Sequence, residues 1–338
     1  MDILVTLPEG DLREMLFPPA RRERLESLGT VAWNPKSDQF TPSELGEQLR
    51  SIDVCVTGWG SPQLDDSVLA EAGDLELVTH VGGSVASIGS HALYDAGISV
   101  CSANAVMAKF VAEGILGYIL AGLREIPTLD ASIKGGGWQP DDADPRSLFD
   151  ATVGFVGLGA VGRNLLDHLD PFDVDVLLYD PYISDEEIAE YEAVERADLK
   201  STLRSSDVVS IHAPKTKATL HMIDATRLGQ LRDDALLINA ARGAIIDQKA
   251  LIDELRTDRI SAILDVYAEE PLPEDSPLRS IDNAILMPHV AGYPARYRLP
   301  DTVLDEIERF SRGAPLEHSI SRDRFEMMTN DQLGPDDV

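Results

Sequence analysis

The chain has 338 residues, enough for two domains, and its 43% hydrophobic and 26% charged residues are those of a folded globular protein. A formal net charge of −30 argues against a nucleic acid or an anionic membrane as partner, because such a surface repels both. No run approaches the roughly 18 uninterrupted apolar residues that span a bilayer.

The N-terminus, Met1-Asp2-Ile3-Leu4, lacks the basic region and apolar core of a secretory signal, so a cytoplasmic location is the expectation. The two cysteines, Cys55 and Cys101, lie in apolar strand-like runs and read as small core residues in a reducing compartment. No Cys/His cluster has metal-ligand spacing, and no metal is expected. Lysine is scarce beside arginine. An acidic, lysine-poor surface suits a salty cytoplasm where self-repulsion is screened, and GC-rich coding explains the arginine equally well.

In chain order, Asp2 to Leu7 is strand-like, Leu12 to Leu28 is helical, and Thr30 to Trp33 is a strand again. Thr41-Pro42-Ser43-Glu44 opens a helix: Thr41 caps it, Pro42 suits the first turn, and Glu44 completes a capping box. Strand patterns at Asp53 to Thr57, Leu75 to Val81 and Ile98 to Ser102 alternate with helical ones at Leu64 to Ala72 and Ile88 to Asp95. A long helix, Ala108 to Arg124, carries Val111, Ile115, Tyr118, Ile119 and Leu123 on an apolar stripe. The stretch from Lys134 through Trp138 to Pro145 is loop-like. Five more strands follow at Val174–Tyr179, Val208–His212, Ala235–Asn239, Ser261–Leu264 and Ala284–Met287. A final helix spans Pro300 to Arg312, and the tail after Arg324 reads as frayed. Regular alternation of this kind predicts parallel α/β sheets.

Between the long helix and those strands lies the most informative segment. The apolar run Val153 to Val156 reads as a buried strand, and Gly157, Gly159 and Gly162 follow in G-x-G-x-x-G spacing before a helical pattern. A strand, a glycine turn and a helix N-terminus can hold a pyrophosphate on backbone N–H groups. The next strand ends at Asp180, 18 residues beyond Gly162, where a carboxylate would take the adenosine ribose hydroxyls. An acid there repels a 2′-phosphate, so NAD is expected rather than NADP.

Three polar residues then sit just past predicted strands: Arg242, Glu270 and His289. Ligands of open parallel sheets bind beyond the carboxyl ends of the strands. A 2-oxo acid needs a cation for its carboxylate, which a guanidinium fork grips in bidentate fashion. The alkoxide left by hydride delivery needs a proton, which histidine can give near neutral pH, and a neighbouring carboxylate favours the protonated ring. Each also has a plain alternative: a surface arginine, a loop acid beside Glu269, and a structural histidine.

These segments resemble the D-isomer-specific 2-hydroxyacid dehydrogenase family. The matches are V-G-F-V-G-L-G-A-V-G-R, Y-D-P, S-I-H-A-P-K-T-K-A-T, L-I-N-A-A-R-G, L-D-V-Y-A-E-E-P-L-P-E-D-S-P-L and M-P-H-V-A-G. The upstream F-V-A-E and G-G-G-W, and the C-terminal E-R-F-S-R-G-A-P-L, also fit. The resemblance implies an α/β protein of two Rossmann-like or flavodoxin-like domains with a cleft between them. Residues 1–104 with 292–338 would bind substrate, and 105–291 would bind NAD. The implied reaction is NAD(H)-dependent interconversion of a 2-oxo acid and a D-2-hydroxy acid. Arg242 would bind the substrate carboxylate, His289 would be the acid/base, and Glu270, which directly precedes the proline, its partner. Ala240, Ala241 and Asp265 would line the nicotinamide side, Ala160, Val161 and Asp180 the adenosine side, and His212-Ala213-Pro214 the loop beside the cofactor. The turn Gly82-Gly83-Ser84 resembles a backbone cradle for the substrate carboxylate. Family members are commonly homodimers, built through the helix near residues 105 to 140.

Two features depart from the family pattern. The turn reads G-G-S-V-A-S-I-G, without the family's aspartate, and Lys109 places a cation ahead of V-A-E, either as a surface lysine or as a second charge for a diacid or phosphorylated substrate. A non-catalytic NAD-binding scaffold, or an oxidoreductase acting on formate or a phosphonate, remain alternatives. The intact Arg/Glu/His set argues against the first. Glu270, where formate enzymes typically carry glutamine, argues against the second.

Overall fold

In a computed structural model the described residues are 1–138, 140, 143–329 and 333. The chain divides into two compact units, Met1–Ala108 with Pro294–Gln332, and Lys109–Tyr293 with Leu333–Val338.

The first unit holds a five-stranded parallel sheet of β1 (Asp2–Val5), β2 (Thr30–Trp33), β3 (Val54–Thr57), β4 (Leu77–His80) and β5 (Ser99–Ser102), in the order β2-β1-β3-β4-β5. This is the flavodoxin-like order, with its reversal between β1 and β3. β3 and β4 are buried along their whole length, as strands covered on both faces must be. Leu4, Cys55, Val78 and Val100 pack with Leu45, Leu49 and Leu93 on one side. The predicted helix over Leu12 to Leu28 is two helices, Asp11–Leu16 and Pro19–Glu26, because Pro18 and Pro19 interrupt the backbone ladder. Thr41 and Glu44 form the expected capping box ahead of Pro42–Gln48.

The second unit holds β6 (Thr152–Val156), β7 (Asp175–Tyr179), β8 (Val194–Arg196), β9 (Val208–Ile211), β10 (Leu236–Asn239), β11 (Ser261–Leu264) and β12 (Ala284–Leu286). Its seven parallel strands run β12-β11-β10-β9-β6-β7-β8. That is the doubly wound order, and the reversal falls between β6 and β9, where a dinucleotide binds in such sheets. Leu165, Leu166 and Leu169 of the helix Ala160–Leu169 bury one stripe against Phe155 and Leu178. β8 has no counterpart among the predicted strands. Its Val194-Glu195-Arg196 is too short and too polar to show an apolar period.

The long helix spans Asn104–Leu123. Its length and mean hydropathy of 1.6 would suffice to cross a membrane. Lys109 and Glu113 interrupt its apolar run without lowering that mean enough, so a helix with no uninterrupted apolar run of spanning length still reaches this character by composition. Ala112, Ile115, Ile119 and Leu123 are buried in the core of the second unit. A further helix, Ile126–Lys134, precedes the loop-like stretch and has no counterpart among the predicted elements, and none of its residues is buried. Most of the C-terminal tail lies outside the described residues.

Candidate active site

β6 delivers Gly157 at its carboxyl end with φ +94°, a left-handed conformation that favours glycine. A Cβ there would stand 3.0 Å from the Ala213 nitrogen, so the glycine lets the turn lie against the His212-Ala213-Pro214 loop after β9. The helix Ala160–Leu169 begins at Gly159 with no side-chain cap, and nothing lies within 4 Å of where a Gly159 Cβ would be. Gly159 thus leaves open space at a positive helix end, whose first-turn N–H groups have no partner within the helix, and a pyrophosphate requires such an end. Asp180 stands at the end of β7. Its Oδ2 accepts from the Leu158 N–H at 2.8 Å and its Oδ1 from the Tyr182 N–H at 2.8 Å. A carboxylate accepts about four hydrogen bonds, so lone pairs remain for ribose hydroxyls. The turn and Asp180 therefore fit NAD.

His212 packs on Phe155 with ring centroids 4.9 Å apart, and neither ring nitrogen has a hydrogen-bond partner. Burial pushes its pKa down to about 3, so the ring is neutral. After β10, Asn239 braces the next loop. Its Nδ2 donates to the Arg242 carbonyl at 3.0 Å, and its Oδ1 accepts from the Ala241 N–H at 3.1 Å.

Arg242, Glu270 and His289 converge. His289 Nδ1 lies 2.7 Å from Glu270 Oε2, while Glu270 Oε1 accepts from the Tyr267 N–H at 2.9 Å. The hydrogen bond to Glu270 raises the His289 pKa above its ordinary 6.5. Burial opposes the rise, the charges of Glu270 and Asp265 support it, and Arg242 works against it. Burial would lift the Glu270 carboxyl, but the bonds from His289 and the Tyr267 N–H, with the charges of His289 and Arg242, hold it below its ordinary 4.5. The carboxylate fixes Nδ1 and favours the imidazolium, whose Nε2–H is left to donate. Arg242 Nη1 donates to the Ala241 carbonyl at 2.8 Å, and the guanidinium lies within electrostatic range of both partners.

The Arg242 and Glu270 loops meet through Gly243. A Cβ on Gly243 would fall 1.9 Å from the Tyr267 carbonyl carbon, so only glycine lets these two backbones touch. Asp265 is 1% exposed. Its Oδ1 accepts from the Val290 N–H at 2.9 Å and the Tyr118 hydroxyl at 3.1 Å, and its Oδ2 from the Ala291 N–H at 2.9 Å. The Asp265 carboxylate therefore clamps the backbone just after His289. Neither Asn239, Gly243 nor Tyr118 stands among the site residues read from the sequence. Tyr118 falls on the apolar stripe of the long helix, and a hydroxyl there leaves no periodic signal in the sequence.

Gly82, Gly83 and Ser84 form the turn after β4 in the first unit. His80 lies beneath it, with Nδ1 3.0 Å from the Thr57 hydroxyl and burial holding its pKa down at about 4. The ring is neutral there and adds no charge to the turn. Lys109 is exposed on the long helix.

The family described as D-isomer specific 2-hydroxyacid dehydrogenase, NAD binding domain, matches residues 116–291. Among curated proteins, the chain is similar to the glyoxylate reductase of Thermofilum pendens, with 35% identity over 277 residues covering 79% of this chain and 81% of that one. It is also similar to the D-3-phosphoglycerate dehydrogenase of Methanocaldococcus jannaschii, with 32% identity over 311 residues covering 91% of this chain and 59% of that one. It spans 50% of the corresponding enzyme of Archaeoglobus fulgidus, so these relatives are much longer proteins. Among solved structures, a phosphoglycerate oxidoreductase from Rhizobium etli superposes with TM-score 0.78 at 26% identity, covering 95% of this chain and 99% of that one. The chain belongs to the D-isomer-specific 2-hydroxyacid dehydrogenase family, and its second unit carries the family's NAD-binding domain.

Proposed function

We propose that this protein reduces a 2-oxo acid to the D-2-hydroxy acid, and runs the reverse oxidation, with NAD(H). The observation that carries this reading is the His289–Glu270 pair at 2.7 Å with Arg242 in electrostatic range, all at carboxyl ends of strands in the NAD-binding unit. Gly157, Gly159, Ala160, Val161 and Gly162 hold the pyrophosphate, and Asp180 holds the adenosine ribose. The His212-Ala213-Pro214 loop and Ala240-Ala241 border the remainder of the cofactor. When bound, the nicotinamide supplies the hydride that reaches C2 of the oxo acid.

The protein's own groups do the rest. Arg242 grips the substrate carboxylate and polarises the adjacent carbonyl. The His289 imidazolium gives its Nε2 proton to the carbonyl oxygen as charge develops there, and the neutral ring later regains a proton from water. Glu270 keeps Nδ1 protonated and the ring aimed. In the oxidative direction neutral Nε2 takes the proton from the substrate hydroxyl. The oxo-acid carboxylate is the shared chemistry. The glyoxylate and 3-phosphoglycerate named for the relatives are two members of the class to test first.

We also read the protein as a homodimer. The helix Ile126–Lys134 buries nothing, with Ile126 54% and Ile133 50% exposed, and an apolar face of that kind is normally covered. Light scattering on the wild type and on an Ile126→Asp, Ile133→Asp variant tests this, and a monomeric wild type refutes it.

The decisive experiment is NADH oxidation against glyoxylate, hydroxypyruvate, pyruvate, phenylpyruvate, branched oxo acids and 3-phosphohydroxypyruvate. At least one is turned over, and His289→Gln lowers that rate by about 10²–10⁴ with NADH affinity intact. A His289→Gln rate within a few-fold of wild type removes His289 from the chemistry.

A further inference from the structure

We propose that Tyr118 is a positioning residue for the His289 acid/base, acting through a buried three-donor clamp on Asp265. This rests on the reading of His289 given above and deepens it. His289 has φ +55°, a backbone conformation that a side-chain-bearing residue rarely adopts. Such a residue stays there only when its surroundings hold it. The holding group is the Asp265 carboxylate, which takes the N–H groups of the two residues that follow, Val290 and Ala291, at 2.9 Å each. Asp265 is itself 1% exposed, and water cannot supply a missing donor.

The third donor comes from a different element. Tyr118 lies in the middle of the long helix Asn104–Leu123, flanked by Ile115 and Ile119, which are buried in the core of the second unit. Its hydroxyl donates to Asp265 Oδ1 at 3.1 Å, the oxygen that also accepts from Val290. Burial, with the Asp265 charge beside it, keeps this hydroxyl protonated far into the alkaline range, so it remains a donor wherever the enzyme works. A phenylalanine would fill the same apolar stripe. The hydroxyl is therefore explained by the carboxylate it reaches and not by the packing around it.

The Asp265 charge helps hold the proton on His289. The groups acting on the ring are Glu270 by hydrogen bond and charge, Asp265 by charge, and Arg242 in opposition. Besides His289, the ionisable groups that feel the Asp265 charge are Tyr118 and Tyr267, and burial keeps both hydroxyls protonated. By donating to Asp265, Tyr118 offsets part of the charge that His289 feels. The hydroxyl thus sets both the placement of the loop and the proton affinity of the acid.

The test is Tyr118→Phe in the full chain. The His289 imidazole is titrated by NMR in the cofactor-free protein, and steady-state kinetics use the fastest substrate of the oxo-acid panel. The expected results are an upward move of the His289 midpoint by a few tenths of a pH unit, a several-fold lower kcat, and an NADH Kd within two-fold of wild type. Asp265→Asn should move the midpoint down. Adding Tyr118→Phe to Asp265→Asn should produce no further move, because the hydroxyl then has no charge to offset. A purely structural tyrosine would lower the melting temperature and leave the midpoint where it was. An unmoved or lowered midpoint in Tyr118→Phe, or an equal move in the Asp265→Asn background, overturns the proposal. Wild-type turnover in His289→Gln would instead sink the assignment of the acid, a failure the NMR titration separates from that of Tyr118.

Discussion

Replacing Gly243 with alanine probes how the site is assembled. A Cβ at this position would meet the Tyr267 carbonyl carbon at 1.9 Å, its oxygen at 2.0 Å and the Ala268 nitrogen at 2.5 Å. All three are backbone atoms, so no side chain can swing aside. Ordinary contact starts at 3.4 Å, so the Arg242 loop must retreat from the Glu270 loop by about 3.4 − 1.9 = 1.5 Å. A misplacement of about 1 Å in a reacting constellation costs on the order of 10²-fold in rate. Overpacking of this kind also costs about 1–3 kcal/mol of stability, and more where backbone must move. The glycine turn at Gly157 is a separate piece of backbone, so cofactor affinity should stay within a few-fold. Gly243→Ala should therefore lose about 10²-fold in kcat/KM, melt several degrees lower, and still quench or enhance NADH fluorescence at wild-type concentrations. A variant that folds with wild-type kcat/KM would show that the contact between these loops does not set the geometry of Arg242 against His289.

Arg242→Lys should raise KM and lower kcat together, because a point-charge ammonium cannot reproduce the planar fork, and an unchanged rate constant with saturating substrate would refute the bidentate role. On the proposed mechanism the reductive direction uses protonated His289, whose pKa lies above 6.5, so the rate should hold through that pH and fall only as pH rises past the raised value. The oxidative rate should climb over the same interval, and a reductive midpoint at or below 6.5 would contradict the Glu270 partnership. A net charge of −30 repels itself most in dilute buffer, and the Debye length shrinks to roughly 3 Å at 1 M salt. The melting temperature should therefore rise between dilute buffer and molar salt, and equal values would count against a screening requirement.

The strands of both sheets were legible to within a residue or two wherever they are buried on both faces. A short apolar run such as Val208–Ile211 has no other stable use between helical patterns. The glycine turn was legible because its chemistry is local: Gly157, Gly159 and Gly162 act within one strand–turn–helix unit. The polar trio could be named because each residue lies in the loop that follows a strand, three to six positions past its end. The short edge strand Val194–Arg196 and the helix Ile126–Lys134 could not, since neither buries a periodic apolar face.

The linear order of residues thus settled the alternation of elements, the glycine turn after β6 and the residue types placed near strand ends. Those depend on neighbours a few positions apart. What only the folded chain decided is which distant groups share a bond: Tyr118 with Asp265, 147 positions on, Asp265 with the backbone after His289, and Gly243 against Tyr267. Hydrogen bonds and backbone contacts of that range leave no period in a sequence. They exist because the parallel crossovers carry β10, β11 and β12 side by side and bring their carboxyl ends to one edge.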